Sequence, residues 1–236
     1  MASEAPALHR LLDDWAGRME SLLAMDDEDI YWEIEHAVGA QFYTESWHPR
    51  TPSRPTVNSR RLLERLSKGW FGTVGPASPQ TRYMNDGVLY FDATPAAGVA
   101  PVVEKPASGV WTASFLPSGA TTWDRGESRF KRLGRELYEL HFDESGVVVY
   151  VIDSLDDFAV LASRFPGAVV DGRVRLDWQK VKAEFDAVHL TAKGLLTADR
   201  CPVVTSEGVA ELSGWGSQST VWFRRPPGLR VGTSAS

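Results

Sequence analysis

The sequence predicts an α+β protein whose strands pair mostly antiparallel, with its helices concentrated at the front of the chain. Three observations predict it. Apolar residues recur at helical spacing from residue 5 to about residue 68. Beyond a Gly/Pro/Ser stretch at 72–80, short β-branched and aromatic runs take over. The helical patterns that interrupt those runs are too few and too irregular for repeating βαβ units.

The first helix is predicted over 5–24, where Leu8, Leu11, Leu12, Trp15, Met19, Leu22 and Leu23 fall on one stripe. A second starts near Asp26 or Asp27, with acidic residues where the helix dipole favours them, and runs through Ile30, Ile34 and Val38 to Gly39. The segment WHPRTPSRPT (47–56) is too rich in proline for regular structure. Asn58 or Ser59 is the expected cap of a third helix ending at Lys68-Gly69. Strands are then expected at VLYF (88–91), GVWTAS (109–114), ELYELHF (136–142), VVVYVI (147–152), AVHL (187–190) and STVWF (219–223). FDESGVV (142–148) has turn chemistry and predicts a hairpin between two of them. Ser154 caps a helix that ends before Pro166, and Asp177 caps WQKVKAEF. The organisation expected is a helical region over 1–72, an α+β domain over 73–225 and a disordered tail over 226–236.

With 43% hydrophobic residues and nine Trp, the chain can bury a sizeable core. One cysteine, Cys201, excludes an internal disulfide and a four-cysteine zinc site. The five histidines lie far apart in sequence, so no metal site is expected. No apolar run is long enough to span a membrane, and the N-terminus lacks the pattern of a signal peptide, which predicts a cytoplasmic protein. A net charge of −6 argues against a general nucleic-acid binder. The charge is uneven: Arg50, Arg54, Arg60, Arg61, Arg65 and Lys68 face only Glu64, after an acidic stretch from Asp26 to Glu35. The basic stretch reads either as a phosphate-facing patch that positions a partner or as the neutralising complement of the acidic one. The sequence carries neither a Gly-rich dinucleotide fingerprint nor a phosphate loop.

Several words rich in Trp, Ser, Thr and Gly carry the candidate chemistry. TRYMNDGVLY, KPASGVWTAS, TTWDRGE, VYVIDSLDDF, DWQKVKAEFDAVHLT and GWGSQSTVWFR follow one another between residues 80 and 225. In this order they resemble a poorly described bacterial and phage group with the ADP-ribosyltransferase-like fold. The resemblance implies a split-sheet core, NAD as cofactor, cleavage of its nicotinamide–ribose bond and transfer of ADP-ribose to an unknown macromolecular acceptor, protein or nucleic acid. It implies that Arg82, beside Tyr83, grips NAD, as suits a planar guanidinium with paired donors. Trp111, Thr112 and Ser114 would then orient the ribose, and Trp123 would shelve a flat ring. On a strand, Thr112 and Ser114 share one face, with Trp111 and Ala113 on the other.

Gln218 stands where that fold carries its catalytic Glu. A carboxylate there would stabilise an oxocarbenium-like transition state, and a neutral amide would not. Three explanations stay open. Glu127, or failing it Glu211, supplies the carboxylate; or catalysis is lost and binding kept, leaving a non-catalytic nucleotide- or partner-binding module; or Gln218 is itself an inactivating change. His189 reads as a buried strand histidine or a site residue. Cys201 has no neighbouring base and is not expected to be a nucleophile.

Overall fold

The computed structural model describes residues 5–40, 56–91, 104–126 and 134–233. Glu127 and the Pro-rich segment up to Pro55 lie outside them.

The N-terminal stripe forms two helices, not one: α1 (Pro6–Asp14) and α2 (Met19–Leu23). Gly17 separates them at φ 76°, a left-handed conformation that closes a helix and suits glycine. The seven predicted stripe residues still face inward, because the break redirects the chain without changing which side is apolar. Helix α3 (Asp27–Ala40) begins as expected, with Asp26 Oδ1 accepting from the Asp29 N–H at 2.8 Å. Helix α4 (Val57–Arg65) is capped by Thr56, not by Asn58 or Ser59; its hydroxyl accepts from the Ser59 N–H at 3.0 Å.

Of the described cations of the basic stretch, Arg65 pairs with the acidic stretch, whereas Arg61 and Lys68 pair with carboxylates outside it. Arg61 pairs with Glu20 at 2.6 Å, Lys68 with Glu64 at 2.9 Å, and Arg65 with Asp27 at 2.6 Å. The last is the most enclosed, and Asp27 also accepts from the Trp70 N–H at 2.6 Å, which locks α4 to α3. Arg65→Glu is therefore expected to cost about 2 kcal/mol, because it leaves two carboxylates facing each other in a half-buried site. Exposed Arg60 makes no such pair among the described residues, and Arg60→Glu is expected to leave the urea midpoint unchanged. Equal midpoints for the two variants would contradict this assignment.

Eleven strands follow among the described residues: β1 (Gln80–Met84), β2 (Val110–Ser114), β3 (Glu136–His141), β4 (Val149–Ile152), β5 (Pro166–Val170), β6 (Arg173–Leu176), β7 (Ala187–Leu190), β8 (Pro202–Thr205), β9 (Gly208–Glu211), β10 (Ser219–Trp222) and β11 (Arg230–Thr233). The larger sheet runs β11-β3-β1-β2-β10-β7-β4 and the smaller one β5-β6-β9-β8. Among these strands, β4–β7 and β6–β9 pair parallel and the other pairs antiparallel, so the mostly antiparallel expectation holds. Three further helices are interleaved: α5 (Leu155–Arg164), α6 (Trp178–Glu184) and α7 (Ala192–Ala198). Ser154 and Asp177 cap the first two as predicted.

Four expectations change. Residues 88–91 form no strand, and Tyr90 is 68% exposed. The turn at 142–148 makes no hairpin: β3 and β4 lie five positions apart in the sheet order, so the segment is a crossover. The expected disordered tail instead forms β11, whose Arg230–Thr233 pairs with β3 and gives that strand's outer edge a partner. Helix α7 and the smaller sheet were not anticipated, because their runs are short and mix polar with apolar residues.

Alternation sorts the larger sheet into two faces. Val221, Val188, Leu190 and Ile152 join α1, α3, α5 and α7 in the main core, so the helical N-terminal region and the sheet bury one continuous interior. Met84, Val110, Leu140, Ala187 and Trp222 line the reverse face with Phe142 and Leu229. The seam between β1 and β2 is short: Gln80↔Ser114 and Thr81↔Ala113 pair, while β1 runs along β3 for its full length. Beyond Thr81 the seam opens, and the candidate site lies there.

Candidate functional site

At the open seam a cleft of about 180 Å³ is lined by Arg82, Tyr83, Lys105, Trp111, Trp123, Arg135, Trp215, Gly216, Ser217 and Ser219. Its walls are aromatic. Trp111 and Trp215 meet edge to face with ring centroids 4.6 Å apart, and Lys105 Nζ sits 4.4 Å from the Trp111 ring centroid. The Trp215 indole donates to the Glu104 carbonyl at 3.2 Å, and the Trp123 indole to Ser219 Oγ at 2.9 Å. The Tyr83 hydroxyl donates to Asp124 Oδ1 at 3.3 Å, and Asp124 also accepts from the Thr121 N–H and hydroxyl. These bonds hold the rings as rigid walls.

The cleft is cationic. Arg82 Nη1 donates to the Trp111 carbonyl at 2.7 Å, across the seam that backbone pairing leaves open. Burial first, and the neighbouring Arg135 charge second, push the Arg82 guanidinium below its ordinary value. No carboxylate pairs with Arg82 and none lines the cleft, among the described residues. An anion entering here would relieve both the desolvation and the repulsion.

The sequence-predicted site residues separate into two groups. Tyr83, Trp111 and Trp123 line the cleft from one face, and Arg82, on the β1 side shared with Gln80 and Met84, reaches it through the open seam. Thr112, Ser114 and Gln218 do not: strand alternation that puts Trp111 and Ala113 toward the cleft puts Thr112 and Ser114 on the other face of β2, and Gln218, just before β10, turns its amide to α7. Gln218 is held there on every side. Its Oε1 accepts from the Ala192 N–H at 2.8 Å at the start of α7, and its Nε2 donates to Ser114 Oγ at 3.1 Å. Its backbone N–H donates to the Tyr31 hydroxyl at 3.3 Å. The amide is a bracket between α7 and β2 and is not among the residues that line the cleft.

Thr112 belongs to a buried polar ladder. Its hydroxyl donates to Gln80 Oε1, Gln80 Nε2 donates to Thr220 Oγ1 at 2.8 Å, and His189 Nδ1 lies 2.8 Å from the same oxygen. The Trp222 indole donates to both Gln80 Oε1 and Thr112 Oγ1. His189 is fully buried, and desolvation pushes its pKa down to about 3, so it is a neutral sheet residue and no cleft group. Cys201 is buried, and burial followed by the Glu211 charge raises its thiol to about 11, which rules out a thiolate nucleophile at neutral pH. Glu211 pairs with Arg173 at 2.6 Å in the smaller sheet and does not line the cleft. Glu127 lies outside the described residues.

The sequence reading missed Lys105, Arg135, Trp215, Gly216, Ser217 and Ser219 as site residues. A signal for two of them was present. In GWGSQST, alternation about Gln218 places Ser217 and Ser219 together on the opposite side. Arg135 had none, since it reaches the cleft only because β3 pairs with β1.

Among the described residues no cluster of His, Cys, Asp and Glu fits a metal ion, and no helix is long and apolar enough to cross a membrane. No protein-family model, no curated protein and no solved structure matches this chain.

Proposed function

We propose that the protein binds NAD, or a nucleotide of the same chemistry, in the cleft at the β1–β2 seam, and that it acts as a nucleotide-binding module on an ADP-ribosyltransferase-like scaffold. The observation that carries this reading is the lining itself: Arg82, Lys105 and Arg135 set among Trp111, Trp123, Trp215 and Tyr83, with no acidic side chain among the described lining residues. Clustered cations suit phosphate oxygens, and aromatic walls suit a base or nicotinamide ring. A volume of about 180 Å³ is below the roughly 300–1,000 Å³ of pockets that enclose drug-sized ligands. The cleft therefore grips one ring with its adjoining sugar and phosphate, and the rest of a dinucleotide extends beyond it.

Binding without cleavage is favoured over transfer by the orientation of Gln218. Breaking the nicotinamide–ribose bond calls for a carboxylate close to the developing positive charge, and Gln218 faces α7 instead. An acceptor, protein or nucleic acid, is needed only if that bond is broken.

Saturating NAD is expected to raise the melting temperature of the wild-type protein, since a ligand that binds only the folded state stabilises it. Arg82→Ala should weaken NAD by roughly 30- to 100-fold, the loss of a charge-assisted contact to phosphate. Gly216→Leu should block binding with the fold intact: Gly216 lines the cleft, its φ is not left-handed, and an added Cβ meets nothing within 4 Å. Gln218→Glu should release no nicotinamide. An unshifted wild-type melting temperature would sink the proposal, and nicotinamide release by the wild type would restore the transferase reading.

A further inference from the structure

We infer that α3 of the helical region completes the cleft: Glu35 is a positioning residue that holds Ser217 as a hydrogen-bond acceptor, so that the site selects a ligand bearing sugar hydroxyls beside its phosphate. The inference rests on the nucleotide-binding reading and adds to it which ligand group is read and by what.

Ser217 Oγ donates to Glu35 Oε1 at 2.9 Å. Glu35 is 8% exposed and Ser217 4%; Ser217 lines the cleft and Glu35 stands behind it. A hydroxyl has one proton, and in this bond it is given to the Glu35 oxygen. The proton of Ser217 is thus committed inward, and what its oxygen can offer a ligand is a lone pair. Ser219 is in the same condition: it donates to the Ser217 carbonyl at 3.1 Å and already accepts from the Trp123 indole.

The neighbours hold this arrangement. A Cβ on Gly126 would lie 3.0 Å from Glu35 Oε1 and 3.3 Å from Ser217 Oγ, so bare backbone packs directly over the pair. On the other side the Tyr31 hydroxyl, also from α3, donates to the Thr122 carbonyl at 2.9 Å and accepts from the Gln218 N–H. The segment bearing Ser217 is therefore fixed by α3 through two side chains four residues apart on one helix face.

The cleft consequently presents donors from three cations and acceptors from two serines. A ligand with only anionic oxygens would leave those acceptors unmatched, whereas a sugar phosphate supplies oxygen acceptors to the cations and hydroxyl donors to the serines. Glu35 never needs to touch the ligand. Its part is to keep the Ser217 proton away from the cleft.

The test compares NAD with inorganic pyrophosphate, which once ionised has no hydroxyl to donate. NAD is measured by calorimetry and pyrophosphate by the melting-temperature rise it produces. Ser217→Ala is expected to weaken NAD about tenfold and leave the pyrophosphate response unchanged. Ser217→Thr, which keeps the hydroxyl, should retain NAD affinity. Glu35→Leu should weaken NAD, and Glu35→Gln, whose carbonyl can still accept from Ser217, should retain it. If Ser217→Ala leaves NAD affinity intact, the inference falls and NAD binding stands. If NAD and pyrophosphate weaken together, Ser217 merely supports the cations and the inference falls. Failure of the wild type to bind NAD brings down both readings.

Discussion

Gly194→Ala is expected to destabilise the protein by about 3 kcal/mol, although alanine is the better helix former. Gly194 lies in the first turn of α7, where its N–H donates to the capping Thr191 hydroxyl at 2.9 Å. An added Cβ would overlap the carbonyl oxygen of Ile152 at the end of β4 and lie 3.0 Å from Leu190 Cδ1. The obstacle is backbone, so relief requires α7 to lift off the sheet. Alanine would gain about 1 kcal/mol of helix propensity, and forcing a methyl into a closed contact costs typically 1–3 kcal/mol and more against rigid backbone, so the clash wins. Lifting α7 also stretches the Ala192–Gln218 bond that braces β2. The control is Gly39 in α3, where an added Cβ meets nothing within 4 Å. Gly39→Ala should be neutral or stabilising by up to about 1 kcal/mol. Urea unfolding of both variants checks the pair, and a neutral Gly194→Ala would mean that α7 does not sit on β4 this closely.

Asp199→Asn is expected to remove a loss of stability that the wild type suffers as pH rises. Asp199 is fully buried, and both its carboxylate oxygens lack a hydrogen-bond partner among the described residues. Burial is the main cause that pushes its pKa up to about 8; the Glu211 charge adds to this and the Arg200 charge opposes it. Arg200 Nε lies 3.9 Å away, too far for a hydrogen bond, and Glu211 is paired with Arg173. The folded state therefore keeps a proton that the unfolded chain releases near pH 3.8. Between those values the native state binds more protons, so stability falls as pH rises, by up to about 1.4 kcal/mol per pH unit. Asparagine does not titrate. Relative to the wild type, Asp199→Asn should gain about 3 kcal/mol between about pH 5 and about pH 7.5, read from urea unfolding at the two values. The comparison cancels every other titrating group, so parallel pH profiles for the two proteins would contradict the assignment.

The interface between helices and sheet explains why the candidate site was only half legible. KPASGVWTAS and GWGSQST stand out by composition, and both supply cleft residues. Arg82, Tyr83, Trp111 and Trp123 were identifiable as aromatic and cationic groups next to strand-like runs. Thr112, Ser114 and Gln218 were assigned to the same site because they share those words, but period-2 alternation sends Thr112 and Ser114 to the other face and Gln218 turns its amide to α7. Glu35 could not be read at all, since 182 positions separate it from Ser217 and nothing local links them.

Local chemistry determined a good deal of this protein by itself. The α+β class, α3 with its acidic first turn, the caps at Ser154 and Asp177, and five of the six predicted strands follow from side-chain periodicity and capping, which act within a few residues. The lateral order of the strands was decided only in three dimensions. VVVYVI lies beside AVHL and away from ELYELHF, and RVGT becomes a strand because β3 offers it an unpaired edge. A β-ladder joins backbone groups that almost any sequence carries, so its partners are selected by which apolar faces can be buried together. The opening of the β1–β2 seam, and with it the meeting of Arg82, Arg135, Lys105 and Ser217, is a product of that selection.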